Sequence, residues 1–72
     1  MQGSVENFFK CFDEVKRRYV NCELKCNYRH FWVIELIIDD KVIFNLKGND
    51  TSILFDNAAS KILQFLRAND KR

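Results

Sequence analysis

The sequence predicts an α+β domain of order α-β-β-β-α: a three-stranded antiparallel sheet with two helices packed on one face. Apolar residues recur at helical spacing near both ends of the chain, and between them the spacing drops to two residues. Turn residues punctuate this middle region, while the whole chain contains no Pro and only two Gly, Gly3 and Gly48. The 72 residues therefore read as uninterrupted structure with short turns, a single domain over 1–72.

The first helix is predicted over about 4–19. Val5, Phe8, Phe9, Phe12, Val15 and Tyr19 follow helical spacing, and Ser4 stands where an N-cap belongs. Glu6 in the first turn and Lys16-Arg17-Arg18 in the last complement the helix dipole. Glu6–Lys10, Asp13–Arg17 and Glu14–Arg18 are i,i+4 pairs in the favourable order.

Alternation then predicts strands over about 20–26, 31–38 and 41–47. In the first, Cys22, Leu24 and Cys26 share a face, the two thiols as small buried hydrophobes beside Leu24. Asn27-Tyr28-Arg29-His30 reads as a turn. The second strand puts Trp32, Ile34, Leu36 and Ile38 inward and Phe31, Val33, Glu35 and Ile37 outward. Asp39-Asp40 is a tight-turn signal, after which Val42, Phe44 and Leu46 are expected inward. Gly48-Asn49-Asp50 is expected to end the strand. The final helix, about 52–68, carries the stripe Leu54, Phe55, Ala58, Ala59, Ile62, Leu63 and Leu66, with Asp50, Thr51 or Ser52 as its cap. Asn69–Arg72 reads as a frayed end.

The composition excludes several classes. At 47% hydrophobic with seven Phe, the chain is too apolar for a disordered segment. A net charge of +2, from 12 basic and 10 acidic residues, is not that of a protein held to nucleic acid mainly through phosphates. No apolar run approaches the ~20 residues needed to span a bilayer, so no membrane partner is expected. Three Cys and a start, Met1-Gln2-Gly3-Ser4, without a basic or apolar leader pattern point to a reduced, intracellular (cytoplasmic) setting.

Two runs carry a family resemblance. The segment from Phe31 to Gly48, with Ile34-Glu35-Leu36 at its centre, is followed by Ala58-Ala59-Ser60-Lys61-Ile62-Leu63. Together they resemble a double-stranded RNA-binding domain, whose second strand, short turn and alanine-striped last helix follow this order. With the leading helix, the resemblance covers Ser4 to Leu66 and implies the α-β-β-β-α fold. It implies RNA binding much less. Where that family opens its last helix with phosphate-gripping lysines, this chain has Ser52, Ile53 and Asp56, with Asp50 just before. Arg29 and His30 stand at the end of a shortened first turn, where the family carries a histidine. Family members without these residues serve as dimerisation or protein-interaction modules. The element order is also similar to that of some small phage-encoded inhibitors, including certain anti-CRISPR proteins.

No catalytic set is visible, and neither an enzyme nor a cofactor is expected. The single His has no nucleophile motif near it. Cys11, Cys22, Cys26 and His30 are metal-binding types, but strand residues four apart lie ~13 Å apart, too far for one ion. Lys16, Arg17, Arg18, Lys25, Arg29 and His30 make a candidate basic patch for duplex RNA or another nucleic acid. The outer sheet face carries the stronger signal. Phe31, Val33, Ile37 and Ile43 are apolar where an exposed antiparallel face would alternate to polar residues. The expected function is a non-enzymatic protein-interaction module, pairing with itself or inhibiting a partner protein through that face. Nucleic-acid binding through the basic patch is the alternative.

Overall fold

The computed structural model describes residues 3–69. Its elements are α1 (Ser4–Arg18), β1 (Cys22–Tyr28), β2 (Trp32–Ile38), β3 (Lys41–Gly48) and α2 (Thr51–Ala68). The strands form one antiparallel sheet in the order β1-β2-β3. The predicted α+β architecture is the one observed.

Gly3, not Ser4, is the N-cap of α1, and no side chain caps that helix. Glu14 accepts from both Arg17 (3.0 Å) and Arg18 (2.9 Å), and Asp13 pairs with Lys16 at 3.2 Å. The expected Glu14–Arg18 pair is thus present. Asp13 turns to Lys16 instead of Arg17, and Glu6–Lys10 is not among the ion pairs of the described residues. Such exposed helix pairs contribute only a few tenths of a kcal/mol each. α2 starts more firmly: the Asp50 carboxylate accepts from the backbone N–H groups of Ser52 (3.0 Å) and Ile53 (3.3 Å). A cap of this kind is worth about 1 kcal/mol.

The helices run in the same direction. Phe8 meets Phe55 near their starts and Tyr19 meets Phe65 near their ends, at ring separations of 5.2 and 5.5 Å. One core joins Phe8 and Val15 of α1, six residues of α2 and the inner face of the sheet, Ile34, Leu36, Ile38 and Phe44. The α2 contribution includes Ala58 and Ala59, both buried, whose small side chains let the helix lie close to its neighbours. The stripes are narrower than the sequence suggested, for Val5, Phe9 and Leu63 are exposed on the helix flanks. Of the first strand's inward residues, Cys22 and Leu24 are half-buried and Cys26 is exposed. β1 is an edge strand, and it lies outside the close contact that α2 makes with β2 and β3.

β1 runs on to Tyr28, so the expected turn at Asn27–His30 narrows to Arg29, His30 and Phe31. The Arg29 N–H donates to the Phe31 carbonyl (3.2 Å) and closes this loop. Phe31 therefore precedes β2 instead of opening it. Gly48 likewise belongs to β3, opposite Trp32, with an ordinary negative φ; the break falls at Asn49 and Asp50. Of the frayed end expected over Asn69–Arg72, only Asn69 lies within the described residues. It caps α2 through a hydrogen bond from its side chain to the Phe65 carbonyl, 2.9 Å.

The β2–β3 hairpin corrects the expected facing of β3. Asp39 and Asp40, at φ 52° and 67°, make a two-residue turn that pairs Ile38 with Lys41 and Ile37 with Val42. Continued without interruption, that register would point Asn45 inward and Phe44 and Leu46 outward. A bulge beside Leu36 and Ile37 shifts the ladder by one residue, so that Leu36 pairs with Phe44 and Ile34 with Leu46. Burying a Phe or Leu side chain is worth about 1.5–3 kcal/mol, which outweighs one disrupted step of the ladder. In consequence Val42, expected inward, lies on the outer face and is 56% exposed. Ile43, expected outward, is half-buried and packs against the core.

Candidate functional site

The helices cover one face of the sheet. The other is open among the described residues, and the ladder arranges it in cross-strand rows: Glu23, Ile37 and Val42; then Lys25, Glu35 and Asn45; then Asn27, Val33 and Lys47. Beyond the last row lies the Arg29–Phe31 loop. The apolar surface is therefore two islands. Ile37 and Val42 form one near the Asp39-Asp40 turn, and Val33 with Phe31 forms the other, ~13 Å away along β2. The charged row of Lys25 and Glu35 separates them. Of the four residues expected to form one patch, Phe31, Val33 and Ile37 lie on this face and Ile43 does not, because of the bulge; Val42 stands in its place.

The second island opens into a groove of about 620 Å³ lined by residues 27–31, Val33 and Lys47. The Lys47 ammonium lies over the Phe31 ring, 6.0 Å from its centroid. The Tyr28 ring packs on Trp32, 5.1 Å between centroids. Asn27 and Lys47 were not singled out from the sequence. They flank Val33 only through the strand pairing, which single-strand alternation does not contain.

The basic residues do not form one patch. The Asp39 N–H donates to the Asn21 carbonyl (2.9 Å), which places the end of α1, with Lys16, Arg17 and Arg18, at the β2–β3 turn. Arg29 and His30 lie beyond the other end of β1, ~20 Å away along its seven residues. Lys25 is midway, opposite Glu35. Lys16, Arg17 and Arg18 are engaged by Asp13 and Glu14.

The cysteines are spread in the same way. No group of three or more His, Cys, Asp or Glu residues among the described residues is placed to hold a metal ion. Burial pushes the Cys11 thiol up from its usual value, which leaves less of the nucleophilic thiolate. No helix among the described residues is long and apolar enough to cross a membrane. Comparison with family models, curated proteins and solved structures finds no match to this chain.

Proposed function

We propose that this chain is a non-enzymatic protein-interaction module that binds through the open face of its sheet, by self-association or by occluding a partner protein. The observation that carries the reading is the apolar content of that face: Val42 is 56% and Phe31 38% exposed, with Ile37 and Val33 half-buried beside them. Single exposed apolar residues need no explanation, but two islands on one uncovered face do. The Lys25–Glu35 row between them would set the register of a partner, since charged rows add specificity more than affinity. The degenerate double-stranded RNA-binding resemblance is consistent with this reading, because the carboxylates of the N-cap Asp50 and of Asp56 near the start of α2 repel phosphate. Duplex binding through the combined basic set is less favoured, since the set is divided between the two ends of β1, with Lys25 midway.

Sedimentation across a wide concentration range, together with affinity capture from extract, tests the proposal. Self-association or specific capture, abolished by Ile37→Asp or Val42→Asp while the melting profile is kept, is the expected result. A chain that stays monomeric and captures the same proteins with and without those substitutions would end it.

A further inference from the structure

We propose that the groove at the Arg29–Phe31 loop binds a phosphate-bearing aromatic ligand, namely a nucleotide unit of a single-stranded nucleic acid. The inference does not rest on the protein-interaction reading: the two share Phe31 and Val33, but the Ile37–Val42 island, ~13 Å away, has no part in it. The groove combines three features. First, its polar lining is of one sign: Arg29, His30 and Lys47 converge on it with Asn27, and no carboxylate lines it. A concave site lined by one sign of charge concentrates counter-ions. Second, Arg29 and Lys47 take part in none of the ion pairs among the described residues, unlike the three basic residues at the end of α1. Third, Phe31 and Val33 supply an apolar floor beside these cations, and Lys47 already sits against the Phe31 ring.

Two cations and an imidazole along one groove suit a ligand that presents successive monoanionic phosphodiesters, each with two free oxygens to accept hydrogen bonds. The aromatic floor suits a planar body attached to it, which is a base. The volume, about 620 Å³, falls within the ~300–1,000 Å³ of sites that hold small molecules. A stacked duplex does not offer its base faces to such a groove, whereas a single strand can splay a base into it. The loop's own closure, Arg29 N–H to the Phe31 carbonyl, sets the backbone spacing of these two residues.

Fluorescence anisotropy with a labelled oligo(dT) strand tests this, at ~50 and ~200 mM salt. The expected result is saturable binding, weakened roughly 3- to 20-fold by the higher salt, as for one to three neutralised phosphates. Lys47→Glu and Arg29→Glu should abolish it. Phe31→Leu, which keeps every charge, should weaken it about tenfold through lost stacking. Ile37→Asp should leave it unchanged. Thymidine monophosphate in competition separates a free nucleotide from a strand, since both carry the same recognised chemistry. Three outcomes overturn the proposal: no binding at the lower salt; duplex RNA bound as tightly and indifferent to Phe31→Leu; or a glutamate-rich peptide displacing oligo(dT) at equal concentration. The last would assign the groove to an acidic protein segment.

Discussion

Asp39 and Asp40 carry the only positive φ angles among the described residues. L-residues avoid that region because Cβ crowds the following carbonyl, and Asp tolerates it better than most. The second position of such a turn is where Gly is most favoured. Asp40→Gly is therefore expected to raise stability by about 1 kcal/mol, read as a higher urea midpoint at unchanged slope. An unmoved midpoint would show that the turn stores no strain. Asp50 makes the opposite case of a short acidic side chain fitted to its place, since its carboxylate satisfies two backbone donors at the start of α2. The sequence marks Asp39-Asp40 as a turn and Asp50 as a cap candidate, and the geometry agrees.

β3 is where local rules conflict. A two-residue turn after an inward Ile38 requires an inward Lys41 and an outward Val42. Hydrophobic alternation back from Leu46 and Phe44 requires an inward Val42. Both cannot hold in one regular ladder, and the bulge reconciles them by inserting Ile43 as the extra residue. The conflict was present in the sequence, and counting from the turn would have exposed it. Which requirement yields, and at which position, depends on where β2 offers a step that can be broken. Ile43→Ser is expected to cost about 1–2 kcal/mol, because Ile43 packs against the core. Val42→Ser should stay within about 0.5 kcal/mol, as for other exposed positions. Strict alternation demands the reverse order, so paired urea denaturation curves decide between them.

Among the described residues, one core of twelve buried side chains is shared by α1, α2, β2 and β3. At roughly 0.05–0.15 kcal/mol per residue, 72 residues hold about 4–11 kcal/mol of stability. Leu36 is fully buried at the centre of the middle strand. Leu36→Ala should cost about 2–5 kcal/mol, a large part of that total. A lowered thermal midpoint by circular dichroism is the expected result, with partial unfolding at 37 °C if the stability lies at the low end. With the core holding the helices on one side of the sheet, none of the described elements covers the other. Both proposals concern that open face and the groove at its end.

Element order, strand number and the inner face of β2 were determined by the sequence alone. Each depends on periodicity along one segment, and period 3.6 and period 2 are local properties of the chain. The surface was decided by tertiary structure. Pairing placed Lys47 and Asn27 beside Val33, the bulge exchanged Val42 for Ile43, and the length of β1 separated the basic residues into two groups. The physical reason is common to all three. A binding surface is made of neighbours across strands, and which residues become neighbours is fixed by register, which the core settles by burying Phe44 and Leu46.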